Sequence, residues 1–211
     1  MTGAIGVAAV ILAAGAGTRL GGVAKALLAY RGRSYLETVA ATARAAGCVD
    51  AVVVVGAPFG DDVGAHARQL GLRVRVNPAP ERGMASSVAI GFAAIAGGPA
   101  AAAWLWPVDH PAVAGATLRA LIAALIEAPG AIPGDAVDVA QPRYHGRGGH
   151  PPLIRRALWP RLAGCAGAPD GARGVLRAAR VVAVDVGDPG VVRDIDTPAD
   201  LALGSTGELG A

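Results

Sequence analysis

The chain has 211 residues, 53% of them hydrophobic, which is enough for one substantial core and cramped for two. Its formal charge is +3 and its pI ≈ 9.3, but the arginines are scattered and aromatics make up only 4%, so neither a basic stripe nor a stacking platform for nucleic acid is present. No apolar run long enough to span a bilayer and no basic start of a signal peptide is seen, so the expectation is a soluble, cytoplasmic protein with no membrane or nucleic-acid partner.

Cys48 and Cys165 lack a CxxC companion and a neighbouring histidine cluster, which argues against structural zinc and for two reduced thiols. The run Val7–Lys25, VAAVILAAGAGTRLGGVAK, reads as a buried strand delivering a glycine-rich, cationic loop. Successive backbone N–H groups in such a loop form a nest for phosphate oxygens, and Arg19 and Lys25 add fixed charge. Lys25 is the only lysine in a chain otherwise furnished with arginine, a hint that a compact ammonium is wanted there.

Ser34 followed by Glu37 has capping-box spacing, predicting a first helix that stops at Gly47. Residues 51–55, AVVVV, read as a strand buried on both faces and ending at Gly56. A helix over 60–70, a strand over 73–76, a loop at Asn77-Pro-Ala-Pro, a helix over 86–96 and a strand over 101–108 follow. The spacing then predicts a helix over 118–126, a connection over 128–135, and two strands around the turn 145–152 that run antiparallel to the others. Helices over 155–162 and 172–180, a strand over 181–186, and a last helix opening on Thr197-Pro198-Ala-Asp200 complete the chain. The fold class expected is therefore α/β: a single doubly wound, mainly parallel, Rossmann-like sheet with helices on both faces and a small irregular, antiparallel insertion. One domain over 1–203 and a loose tail over 204–211 are expected.

In open α/β sheets, ligands bind outside the carboxyl ends of the strands. The loop over 13–25, Gly56, Asp109 and the segment 193–196 all fall at such ends. The glycine loop alone has a lesser reading as an ordinary strand-to-helix turn, and its cations weigh further toward phosphate. Asp109 reads either as a turn cap or as a ligand for Mg²⁺, a hard ion usually held by one or two carboxylates plus substrate phosphates. Asp194 and Asp196 offer a second carboxylate, Asp196 being the better placed to cap the following helix. The turn 145–152, with His145, His150, Arg147 and three glycines, reads as a cationic wall for an anionic second substrate in preference to a metal site, because no third ligand has suitable spacing. His66 reads as a surface helix residue.

Taken together, the chain resembles the nucleotidyltransferases of the molybdenum cofactor group, especially the molybdenum cofactor cytidylyltransferases. Leu12–Lys25, LAAGAGTRLGGVAK, is similar to the family signature LAAGxGxRxGxxK. GMASS at 83–87, PVDHP at 107–111, GRGGHP at 146–151, DGARGVL at 170–176 and DIDTPADL at 194–201 follow in the family's order.

The resemblance implies Mg²⁺-assisted transfer of a nucleoside monophosphate from a nucleoside triphosphate to a phosphate-bearing acceptor such as molybdopterin. A molybdoenzyme or its chaperone stands as a further partner. It implies that Leu12, Ala13, Ala14, Gly15 and Gly17 face the nucleotide, with Arg19 on the leaving phosphates and Lys25 on the α-phosphate and incoming acceptor. Asn77, Gly83 and Ser87 would close around the nucleotide. Asp109 would hold Mg²⁺ with Asp194 as second metal-side position, and His110, Arg147 and His150 would lie on the acceptor side. The LAAG opening is associated with cytidylyl transfer and LAGG with guanylyl transfer, so CTP is preferred. His110 stands where the cofactor cytidylyltransferases usually carry glutamine, which bears on the acceptor. The alternatives are a guanylyltransferase using GTP, a nucleotidyltransferase for another small phosphorylated acceptor, and a non-catalytic nucleotide or cofactor binder.

Overall fold

The computed structural model describes residues 5–18, 21–127 and 137–195. One eight-stranded sheet forms the centre, and its first strand, β1 (Val7–Ala13), is buried along its whole length. Alternate side chains explain this: Val7, Ala9 and Ile11 join the core on one face, Ala8, Val10 and Leu12 the core on the other. Parallel to β1 on one side lies β4 (Cys48–Gly56), followed outward by β5 (Arg73–Asn77); on its other side lies β6 (Ala102–Pro107).

Beyond β6 the pattern changes. β9 (Leu153–Arg155) is antiparallel to both β6 and β7 (Val139–Tyr144), and β10 (Val181–Asp185) runs parallel to β7 at the edge. The order across the sheet is β10-β7-β9-β6-β1-β4-β5, with the short β8 (Arg147–Gly148) on β7. The expected mainly parallel sheet with an antiparallel insertion is what the chain forms, except that of the two strands flanking the 145–152 turn only β9 runs against the others; β7, paired antiparallel to β9, shares the direction of β6. A separate hairpin, β2 (Ala29–Tyr30) and β3 (Arg33–Ser34), lies outside the sequence reading; Arg31 and Gly32 turn it, both at positive φ.

Among the described residues three α-helices cover each face. α1 (Tyr35–Ala45), α2 (Gly60–Gln69) and α4 (Gly115–Glu127) pack on one core, while α3 (Met84–Ile95), α5 (Trp159–Ala163) and α6 (Gly171–Arg177) pack on the other. Gly91 lets α3 press onto the sheet, since a Cβ there would stand 2.3 Å from Val10 Cγ1. Ser34 caps α1 as its spacing predicts, accepting the Glu37 N–H at 3.0 Å.

Two expectations are corrected. The single helix over 155–162 is instead the end of β9, a 3₁₀ turn and the short α5; Pro160 lies in the first turn of α5, where a ring without an N–H is tolerated. His66 is not a plain surface residue: its Nε2 lies 2.7 Å from Ser34 Oγ, tying α2 to the cap of α1. The connection over 128–135, the helix at Thr197–Asp200, Asp196 and the tail over 204–211 lie wholly or almost wholly outside the described residues. Among the described residues no helix is long and apolar enough to cross a membrane.

Candidate functional site

The strand order β5-β4-β1-β6 reverses direction at β1, and the crevice opens where the carboxyl ends of β1 and β6 meet. A cleft of ≈ 350 Å³ lies there. Its walls include Leu12, Ala13, Ala14, Gly15, Gly17, Lys25, Gly83, Ser87 and Asp109, so most of the sequence-predicted nucleotide and metal residues come together from four separate segments. Gly17 sits at φ 58, and a Cβ there would lie 2.0 Å from the Val23 carbonyl oxygen, so the loop's fold back on itself requires glycine. Arg19 lies outside the described residues.

At the β6 end of the cleft, Lys25 Nζ donates to Asp109 Oδ2 at 3.1 Å. The two side chains keep 17% and 23% of their surface exposed, so they are sheltered from solvent yet remain reachable by a ligand. The turn carrying Asp109 is braced from below: Trp106 Nε1 donates to the His110 carbonyl at 3.1 Å, and the Ile195 N–H donates to the Asp109 carbonyl at 2.9 Å. The last contact brings Asp194, an exposed carboxylate, next to this turn.

The other end of the cleft is made by α3 and the loop before it. Pro80, Gly83, Met84 and Ser87 line it, together with Phe59, the N-cap of α2, and Val63 of α2. This end is mostly apolar, and the first turn of α3 carries no acidic residue to oppose an anion. Phe59, Val63, Pro80 and Met84 are not among the predicted site residues, although Pro80 and Met84 lie in stretches that the sequence singles out. The signal that could have found them is the Gly56-Ala-Pro-Phe59 stretch at a strand's carboxyl end and a methionine two residues before the buried serines. Asn77 does not line the cleft: it is 2% exposed and spends its amide on Ser86, Ser87 and Ala79.

The histidines divide. His145 and Gly146 turn the β7–β8 hairpin, and the His145 ring rests on Tyr144 at 4.2 Å between centroids. His150 instead lies against His110, ring centroids 5.0 Å apart, its backbone N–H bound to the Val191 carbonyl at 2.7 Å. His110 is 7% exposed and its Nδ1 lies 3.4 Å from the Gly190 carbonyl. Burial, then repulsion from His110, push His150 down from the usual 6.5 to about 4, against opposing pulls from Asp109 and Asp194. His150 is therefore neutral at physiological pH, and its buried Nδ1 has no hydrogen-bond partner among the described residues.

His150 also lines a second hollow of ≈ 510 Å³ with Gln141, Arg143 and Gly149; Arg147 is exposed on β8 and does not line it. The 3₁₀ turn Pro189–Val192 that supports this wall is anchored by Asp188, whose carboxylate accepts from Thr117 Oγ1 at 2.6 Å and from the Ala114 N–H at 2.8 Å. Among the described residues no three His, Cys, Asp or Glu side chains are grouped to hold a metal by themselves. The donor set nevertheless suits a hard ion that keeps its waters, because Asp109 lines the cleft and offers it a carboxylate oxygen.

The family described as MobA-like NTP transferase domain matches residues 9–184. The chain is 36% identical over 193 residues to the nicotine blue oxidoreductase of Paenarthrobacter nicotinovorans, covering 90% of this chain and 92% of that protein. Rv0371c from Mycobacterium tuberculosis H37Rv superposes with a TM-score of 0.72 at 30% identity, over 97% of this chain and 98% of that one. The structure of Rv0371c in complex with manganese superposes with a TM-score of 0.69 at 28% identity, over 94% and 97% of the two chains.

Proposed function

We infer the function from one premise: this chain belongs to the MobA-like NTP transferase domain family. The reading is that it moves a nucleoside monophosphate, CMP from CTP by preference, onto a phosphate-bearing acceptor such as molybdopterin. The observation that carries it is the Lys25–Asp109 pair at 3.1 Å, held at the switch point of the sheet at one end of a cleft whose other end is apolar. An acceptor phosphate oxygen attacks the α-phosphorus; the bond to the β-phosphate oxygen breaks, and pyrophosphate leaves with the electron pair.

At neutral pH the acceptor phosphate is already ionised, so the barrier lies in bringing two anions together, and positioning with fixed positive charge lowers it. In this reading Lys25 moves its ammonium from Asp109 to the α-phosphate and acceptor oxygens. The glycine loop from Ala13 to Gly17 cradles the phosphates, with Arg19 on the leaving group. Asp109 and Asp194 would hold Mg²⁺, which neutralises phosphate charge when bound; the manganese complex of the mycobacterial relative supports a divalent ion. His110, His150 and Arg147 form the acceptor side, and a molybdoenzyme or its chaperone is the implied recipient. The LAAG opening supports CTP over GTP.

The test is the purified chain with Mg²⁺, molybdopterin and each of the four triphosphates in turn, read as pyrophosphate release. Release with CTP alone is expected. Release with GTP alone makes it a guanylyltransferase; release that needs a different phosphorylated acceptor keeps the chemistry and replaces molybdopterin.

A second reading rests on a specific observation, the 36% identity to a protein named as an oxidoreductase over nine-tenths of both chains. The same cleft would then take a nicotinamide dinucleotide, whose pyrophosphate also suits a glycine loop at a switch point. Loss of reduced nicotinamide in the presence of nicotine blue, with no pyrophosphate from any triphosphate, selects it.

A further inference from the structure

The polar atoms behind the apolar end of the cleft run in one consistent direction. The Ala79 N–H donates to Asn77 Oδ1 at 3.0 Å, so the amide oxygen of Asn77 faces Ala79 and its nitrogen faces α3. That nitrogen spends one hydrogen on Ser86 Oγ at 2.8 Å and the other on Ser87 Oγ at 2.9 Å. Reversing the amide would set an NH₂ group against the Ala79 N–H, two donors with no acceptor between them, so the orientation follows from the network.

Ser86 hands its own hydrogen to the Gly83 carbonyl at 2.7 Å. Ser87 differs. Its oxygen accepts from Asn77, its hydroxyl hydrogen has no acceptor among the described residues, and its side chain lines the cleft beside Gly83 and Met84. The Asn77 N–H occupies one of its two lone pairs and directs the Ser87 hydrogen away from Asn77, so the hydroxyl has its hydrogen to donate toward the ligand.

We propose that Asn77 is a positioning residue that holds Ser87 as an O–H donor toward the nucleotide base, selecting a base with a ring carbonyl oxygen at that point. The proposal rests on the transferase reading with CTP, and cytosine has a single ring carbonyl to offer. Ser87 touches the base; Asn77 acts only through Ser87 and is itself shielded from the ligand.

The experiment measures equilibrium binding, with Mg²⁺, of CTP and of the CTP analogue carrying sulfur in place of the ring carbonyl oxygen, a much weaker acceptor. The wild-type chain is expected to prefer CTP by about tenfold, the scale of one donor left without its partner. Ser87→Thr, which keeps the hydroxyl, retains the preference. Ser87→Ala binds both ligands alike.

Asn77→Asp also loses the preference, because a carboxylate there accepts from both serines and turns the Ser87 hydrogen away from the cleft. A merely structural role for Asn77 would weaken both ligands equally and leave the preference intact. Equal binding of both ligands by the wild-type chain overturns the proposal without any variant, and so does a preference that survives in Ser87→Ala. Absence of CTP binding to the wild-type chain overturns the transferase reading itself, which keeps the two failures apart.

Discussion

Lys25 and Asp109 are sheltered charges that each face a loss of hydration, and their mutual attraction offsets it. Because the cleft is open on one side, removing one partner leaves a charge that water can reach. Lys25→Ala and Asp109→Ala are therefore expected to fold while losing at least about a hundredfold in pyrophosphate release, the scale of one lost electrostatic stabiliser. Near-normal turnover in either variant ends the assignment.

His150 supplies a pH dependence. Its folded pKa of about 4 lies below its unfolded 6.5, so between those values the unfolded chain binds more protons and stability rises with pH. The contribution is complete above pH 6.5 and is lost as pH falls toward 4. Thermal melts across that window should decline for the wild-type chain more steeply than for His150→Asn, and parallel curves would contradict the burial argument. Burial also pushes Cys48 up to about 11 and raises Cys165, so neither thiol should react appreciably with alkylating reagents at neutral pH.

At the scale of elements, Ser34 joins three pieces: it caps α1, bonds His66 of α2 and ends the small hairpin. Ser34→Ala should cost about 1 kcal/mol for the cap alone, visible as a lower denaturation midpoint. If His66 adds through the same oxygen, Ser34→Ala and the double variant with His66→Ala will melt alike. The cap was legible because its Ser-x-x-Glu signature is contained in four residues. The His66 contact was not, since a histidine on a helix reads the same whether its neighbour is water or a serine 32 positions away. Pro160 illustrates a misreading of the same kind: the apolar spacing around it is helical, but its ring allows the helix to begin there and not to run through.

For the whole molecule, nucleotide binding should register as stability. At a hundred times its dissociation constant a ligand adds about 2.7 kcal/mol, which for a chain of this size raises the melting temperature by roughly 5–10 °C. CTP with Mg²⁺ should do so, chelation of the metal should shrink the shift, and no shift with any triphosphate would remove the nucleotide reading.

The sequence by itself determined the doubly wound class, the glycine loop and the position of Asp109 after a buried strand. Those signals are local: unbroken burial on two faces, a loop that only glycine can close at Gly17, a polar stop after an apolar run. Only the tertiary structure decided that Lys25 meets Asp109 across 84 residues, that Phe59, Pro80 and Met84 wall the far end, and that Asn77 stands behind Ser87. Those pairings depend on the order of strands in the sheet and on the direction of hydrogen bonds between segments, and neither is written in the periodicity of any one segment.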